Sequence, residues 1–269
     1  MDAEKTNRRS TQPAIQLPQS RRHEMIINLI KQEGFVTTEG LVQHFSVTPQ
    51  TIRRDLNELD RLGQISRHHG GAGLANSSTE NTQYSERKKQ LSSEKDRIAN
   101  ELVKRIPDGS SLFIDIGTST ESVARALLNH NHLKIVTNNL HVASILLARD
   151  DFTVIIAGGE VRNRDGGIIG EATRDFISQF RMDFAITGIS GIDLDGTLLD
   201  FDYHEVRVAQ AMMANAQRTF TIADHSKFGR SAMIRLGHVE DIDTLFTDVQ
   251  PPAPLMDQLK QGQTEVVVC

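Results

Sequence analysis

FIDIGTSTESVARAL, residues 113–127, is an apolar run that breaks at Gly117 and enters an amphipathic stretch through Thr118, Ser119 and Thr120. A strand that ends in Gly-Thr-Ser-Thr and runs into a helix presents backbone N–H groups, hydroxyls and the positive end of a helix dipole to one point, which suits a phosphate. Ser and Thr are also the commonest helix caps, so the motif by itself leaves a phosphate cradle and plain capping both open. The same order recurs along the chain. LFIDIG, KIVTN, FTVIIAGG, MDFAITGIS, RTFTIAD, DTLFTD and EVVV are strand-like apolar runs, with helical patterns after most of them. That alternation predicts an α/β domain with a mostly parallel sheet covered by helices.

In an open parallel sheet, ligands sit beyond the carboxyl ends of the strands. Residues suited to hydroxyls, anions or close backbone approach fall at those ends: Asp115, Gly117, Thr118, Ser119 and Thr120; Thr137, Asn138 and Asn139; Gly158 and Gly159; Gly188; and Asp224 with Lys227. Each has a reading as ordinary turn chemistry, but their convergence on one sheet edge favours a pocket. Lys227 is the best phosphate counter-ion, with a plain surface lysine as the alternative.

The first 75 residues are patterned differently. Met25, Ile26, Leu29 and Ile30 recur at helical spacing from about Arg21, and Gly34 ends the pattern. A shorter helix capped at Thr37 or Thr38 follows, with Leu41, Val42 and Phe45 inward. Thr48 then offers a side-chain cap and Pro49 sits where a missing N–H costs nothing, starting a third helix that runs to about Leu62. At about 100° per residue, Ile52, Leu56 and Leu59 form one stripe. Gln50, Arg53, Arg54, Asn57 and Arg61 gather opposite, with Asp55 and Glu58 on a flank. Arg, Gln and Asn make bidentate contacts to base edges in the major groove. On the wheel alone, a docking module with a solvated basic face remains open. QISRHHGGAGL reads as an extended pair around a Gly-Gly turn, a wing that puts Arg67, His68 and His69 near a DNA backbone.

Residues 75–92 have almost no apolar side chains and read as a linker, after which Ser93 and Asp96 suggest a capping box for a helix to about Arg105. Residues 1–20 are polar, contain Pro13 and Pro18, and are expected to be disordered. The sequence thus divides into an extension (1–20), a reader (21–75), a linker (76–92) and an α/β domain (93–269).

Composition narrows the chemistry. The one cysteine, Cys269, excludes a disulfide framework and a Cys-based metal site. His130, His132 and His204 are scattered and no HExxH occurs, so no metal is expected. No apolar run reaches the roughly 18 residues of a membrane span and the N-terminus has no export signal, so a cytoplasmic location without membrane contact is expected. Residues 1–75 hold 10 Lys/Arg against 8 Asp/Glu, and the remainder 20 against 27. That asymmetry is too mild to establish a nucleic-acid partner, so the sorted helix face has to carry it.

FSVTPQTIRRDLNELDRLGQISRHHGGA resembles the signature of the DeoR family of bacterial transcription regulators, long and without gaps. The resemblance implies a winged helix-turn-helix with Thr48–Leu62 as recognition helix, and a DNA-binding set of Thr48, Gln50, Thr51, Arg53, Arg54, Asn57, Arg61, Arg67 and His68. Beyond residue 92 the chain is similar to the effector domain of that family, itself related to ribose-5-phosphate isomerase. DIGTST (115–120), TNN (137–139), GISGID (188–193), FDYHEVR (201–207) and DHSKFGR (224–230) are among the matching segments. They add Asp202 and Glu205 to the effector-binding candidates.

The resemblance further implies a repressor that holds operator DNA until glycerol 3-phosphate binds, acts as a homodimer or homotetramer, and uses no cofactor. A tethered isomerase is the competing reading, because Asp202, His204, Glu205, Asp224 and Lys227 include the base and electrophile that aldose–ketose exchange requires. A sensor needs the same groups, and glycerol 3-phosphate has no carbonyl to isomerise.

Overall fold

The computed structural model describes residues 17–68, 70–74, 78 and 81–269. The disorder expected of residues 1–20 therefore falls mostly outside the described residues. Gln19 and Ser20 already belong to the first helix, two residues ahead of the Arg21 start.

The N-terminal part comprises α1 (Gln19–Glu33), β1 (Phe35–Thr37), α2 (Thr38–Phe45), α3 (Pro49–Arg61), β2 (Ile65–His68) and β3 (Gly71–Leu74). Both capping expectations hold in detail. Thr37 Oγ1 accepts from Gly40 N at 2.9 Å to start α2, and Thr48 Oγ1 accepts from Thr51 N at 3.2 Å to start α3. Ile26, Ile30, Leu41, Ile52, Leu56 and Leu59 close into one core, and the strands pair antiparallel in the order β1-β3-β2. Asp55 departs from the helical wheel. It is buried rather than on a solvated flank, because Arg22 of α1 reaches it with two guanidinium nitrogens, Nη2 donating at 3.0 Å.

The stretch read as a featureless linker contains α4 (Tyr84–Lys89). Its contacts are polar or aromatic: Tyr84 stacks on His141 at 5.2 Å and its hydroxyl donates to Glu121 at 2.8 Å. Next come α5 (Ser92–Val103), β4 (Ser111–Ile114), α6 (Thr118–Leu127), β5 (Lys134–Thr137), α7 (Leu140–Leu146), β6 (Thr153–Ile156), β7 (Glu160–Arg162), β8 (Gly167–Ile169), α8 (Glu171–Ile177) and β9 (Met182–Gly188). The chain finishes with β10 (Gly191–Ile192), β11 (Thr197–Asp200), α9 (Tyr203–Ala214), β12 (Ala216–Ile222), β13 (Ile234–His238), β14 (Thr244–Thr247), α10 (Ala253–Gln261) and β15 (Glu265–Val268). The expected capping box at α5 does not form: Leu91, left-handed at φ 52°, precedes the helix, and Ser93 Oγ bonds Glu94 instead.

All seven apolar runs become strands of one sheet, in the order β15-β14-β12-β9-β4-β5-β6, and every pairing in it is parallel. Successive strand residues serve opposite faces. Leu112 and Ile114 pack with α5, α6 and α7, whereas Phe113 packs with α8 and α9. The order places the ligand site. From β4 the chain builds outward through β5 and β6, then returns to β9 on the other side and builds outward through β12, β14 and β15. The connections after β4 and β9 therefore diverge and leave a crevice between those two strand ends, the topological switch point where open α/β sheets bind ligands.

Candidate nucleic-acid interface and ligand pocket

The exposed side of α3 carries Gln50, Arg53, Arg54, Asn57 and Arg61 in the open, with Thr48 exposed at its start and Thr51 half-buried beside it. None of the three arginines forms an ion pair among the described residues. Arg67 on β2 reaches back to Asn57 Oδ1, and its backbone N–H donates to Asp60 Oδ1 at 2.9 Å, so the wing is fastened to the helix. A short preceding helix, a tight turn, an exposed Arg/Gln/Asn face and an adjoining two-strand wing make the geometry that enters a major groove. The side chain of His68 and all of His69 lie outside the described residues.

At the switch point, Gly117 takes φ +148°, a conformation suited to glycine, and α6 begins at Thr118. Thr120 Oγ1 locks the turn by donating to Asp115 O and Gly117 O, both at 2.8 Å. A small pocket of about 30 Å³ is walled by Gly117, Thr118 and Ser119 from this turn, Gly188, Ile189 and Ser190 from the end of β9, and Arg87, Asp200, Glu205 and Lys227. Backbone and hydroxyl donors, an N-terminal helix end and two cations therefore converge. Lys227 is half-buried and its ammonium forms no hydrogen bond or ion pair among the described residues. Burial pushes it down to about 8, and the nearby Arg230, Lys95 and Arg87 add to the effect against the pull of Asp224. Asp224 is buried behind it and caps the turn at Ser226.

Arg87, Asp200 and Glu205 also wall a wider cleft of about 620 Å³ that opens past Tyr84, Arg162, Asp165, Phe201 and Asp202. Arg162 organises it: its guanidinium meets Asp165 at 2.8 Å, Asp202 at 2.9 Å and Glu205 at 2.7 Å. Burial, with Asp200 adding to it, still holds the Glu205 carboxyl up to about 8, and burial takes Asp115 to about 7. A wall carboxyl poised near neutrality, as Glu205 is, accepts or donates hydrogen bonds to a polyol as the ligand demands. One end of the site thus suits a phosphate and the other a short hydroxylated chain.

Of the expected ligand residues, Gly117, Thr118, Ser119, Gly188, Glu205 and Lys227 line the small pocket and Asp202 the cleft. Asp115, Thr120 and Asp224 stand behind the wall. Thr137, Asn138 and Asn139 are buried and do not line it. Thr137 Oγ1 donates to Ile114 O, Asn138 Nδ2 donates to Ile168 O, and Asn139 caps α7 at His141 and Val142. Gly158 and Gly159 lie at the end of β6 against Thr173, whose hydroxyl donates to Gly158 O at 2.9 Å, away from both pockets. Sequence reading missed Tyr84, Arg87, Arg162, Asp165 and Asp200. RNRDGG before a turn was the available signal for Arg162 and Asp165; Arg87 sits in a run without apolar period.

Residues 22–78 match the DeoR-like helix-turn-helix domain and residues 90–249 the DeoR C terminal sensor domain. The chain is 56% identical over 253 residues to the glycerol-3-phosphate regulon repressor of Escherichia coli K12, covering 94% of this chain and 100% of that protein. The protein of the same name from Haemophilus influenzae is 54% identical over 254 residues, covering 94% of this chain and 98% of that one. The HTH-type transcriptional repressor CsqR of E. coli K12 is 43% identical, covering 92% and 94%. A ribose-5-phosphate isomerase in complex with phospho-erythronic acid aligns with 50% of this chain and 52% of its own at 16% identity and a TM-score of 0.37, a distant likeness. With a matching reader, a matching sensor and relatives alike from end to end, the chain belongs to the DeoR family of transcriptional regulators.

Proposed function

We propose that this protein is a transcriptional repressor that holds operator DNA through α3 and its wing and releases it when glycerol 3-phosphate enters the switch-point pocket, controlling genes of glycerol and glycerol 3-phosphate metabolism. The observation that carries the effector is the Lys227 ammonium, without a hydrogen bond or ion pair among the described residues, sharing a pocket with the N-terminus of α6 that adjoins a cleft walled by Glu205 and Asp202: an anion subsite joined to a polyol subsite. The close relatives are named as repressors of that regulon, and nothing in the pocket demands catalysis. It is a sensor, not an enzyme.

In this reading residues 21–75 are the reader, 76–92 the connection and 93–269 the sensor and oligomerisation domain. Thr48, Gln50, Thr51, Arg53, Arg54, Asn57, Arg61, Arg67 and His68 face DNA; Thr118, Ser119, Arg87 and Lys227 take the phosphate; Asp202 and Glu205 take hydroxyls. A single winged helix reads a short half-site, so a homodimer or homotetramer is required for a long operator. No described helix is long and apolar enough to cross a membrane, and the protein works where its operator is, in the cytoplasm.

Thermal unfolding with a panel of phosphorylated C3 to C6 metabolites tests the effector. A ligand at about 100 times its dissociation constant adds about 2.7 kcal/mol to the native state. Glycerol 3-phosphate is expected to lead the panel and to release labelled operator; stabilisation by a hexose phosphate alone would reassign the regulator to another sugar-phosphate pathway.

A further inference from the structure

Residues 224–230, DHSKFGR, touch three things at once: the pocket, the reader and the connection between them. Lys227 lines the pocket. Its neighbour Phe228 is buried in the same apolar cluster as Phe35 of β1, which is thus part of the sensor's core although it belongs to the reader's sheet. Gly229, at φ +67°, lies so close to Phe35 that a Cβ there would come within 2.4 Å of the ring. One turn earlier, the His225 carbonyl abuts Gly34, where a Cβ would meet that oxygen at 2.0 Å. Arg230 is buried and donates to Ser190 O at 3.1 Å, Asn81 Oδ1 at 2.9 Å and Thr82 Oγ1 at 3.3 Å, with its guanidinium 4.9 Å from the centre of the Phe201 ring. It ties the connection to the end of β9, beside the anion cradle.

We propose that this loop is the relay of induction, with Phe35 and Arg230 as its positioning residues. This rests on the effector reading above and goes beyond it by assigning the coupling to particular contacts. An anion that draws the Lys227 ammonium to the cradle pulls on a backbone whose next two residues form the seat of Phe35. Close-packed seats shift between discrete arrangements rather than deform smoothly. The occupied pocket favours a seat that no longer holds the reader in its operator-binding pose, and DNA favours the other, with equal and reciprocal effect on affinity.

The test uses the full chain and two variants that line neither the ligand pocket and cleft nor the exposed face of α3, Phe35→Leu and Arg230→Lys, the second keeping the positive charge near Lys227 while giving up the three-way grip of the guanidinium. Three quantities are measured for each: operator affinity alone, glycerol 3-phosphate affinity alone by calorimetry, and operator affinity at saturating glycerol 3-phosphate. Wild type is expected to lose operator affinity about fivefold or more on saturation. Both variants are expected to keep each separate affinity within about threefold, while the effect of one ligand on the other falls to less than half its wild-type size on a logarithmic scale. Thermal unfolding checks that each variant is folded. As a second readout, hydrogen exchange in wild type is expected to change on ligand binding both at residues 224–230 and at residues 34–45.

A wild-type response that both variants leave intact overturns the relay alone. So does exchange that changes in the sensor but not at residues 34–45. A wild type that binds glycerol 3-phosphate with no effect on operator, or does not bind it, overturns the effector reading and the relay with it.

Discussion

With Lys227 in the proposed effector site, ligand binding is expected to have a pH dependence whose size follows from the structure. Burial and the surrounding cations hold its ammonium down to about 8, so the charged fraction falls from about nine-tenths at pH 7 to about one-tenth at pH 9. A phosphate dianion binds the charged form and raises its pKa. The dissociation constant for glycerol 3-phosphate is therefore expected to rise about tenfold between pH 7 and pH 9, equivalent to about 1.4 kcal/mol. Glu205, held up to about 8, acts in the same direction, because its ionisation sets a negative charge on the wall it shares with the anion. Titration calorimetry from pH 6.5 to 9.5, in buffers of different ionisation enthalpy, reads both the affinity and the proton taken up on binding near pH 8. The phosphate is already a dianion across most of this window, so its own titration adds little. A dissociation constant that stays flat from pH 7 to 9.5, or a Lys227→Gln variant with wild-type affinity at pH 7, would refute the assignment.

On the reader, Arg54→Ala removes a guanidinium with no ion pair among the described residues from the exposed face of α3 and is expected to cost about 1–3 kcal/mol of operator binding with effector binding unchanged, as measured by fluorescence anisotropy. Asp55→Ala strands the buried Arg22 guanidinium, so urea denaturation should show a loss of about 3–5 kcal/mol, whereas the exposed Asp60 should tolerate alanine with far less. For Asp115 the sign is set by burial: its carboxyl, raised to about 7, keeps a proton in the folded protein that the unfolded chain gives up near pH 4. That contribution is fully present below pH 4 and is lost as pH rises to about 7. Asp115→Asn is thus expected to gain stability relative to wild type between pH 4.5 and 7.5, and a difference that does not vary with pH would contradict it.

The strands were legible because each is a buried apolar run between turn residues, a local signal. LFIDIG, EVVV and the five runs between them needed no knowledge of the rest of the chain. Their order was not legible, since pairing β4 with β9 depends on contacts some seventy residues apart, and it is this pairing that sets Gly117 beside Gly188. Helix α3 could be read face by face from its 3.6-residue period, except Asp55. A wheel sees one helix, and the partner that draws Asp55 inward is on another. Arg87 and Tyr84 were hidden for a different reason. They dock through charge and ring stacking, so α4 has no apolar stripe and reads as solvated chain. Thr137, Asn138 and Asn139 show the converse error: their polar groups at a strand end serve the backbone that shapes the loops rather than the pocket lining.

The seat of Phe35 also sets a timetable for synthesis. Phe35 leaves the ribosome roughly 190 residues ahead of Phe228 and Gly229, an interval of roughly 10–40 s at about 5–20 residues per second. Over that interval the reader can complete its own helices and wing, because the core of Ile26, Leu41, Ile52, Leu59 and Ala72 lies wholly before residue 75. The sensor surface that receives Phe35 arrives only with the last strands, so a nascent chain acquires a DNA-reading head well before it acquires the means to be told to let go.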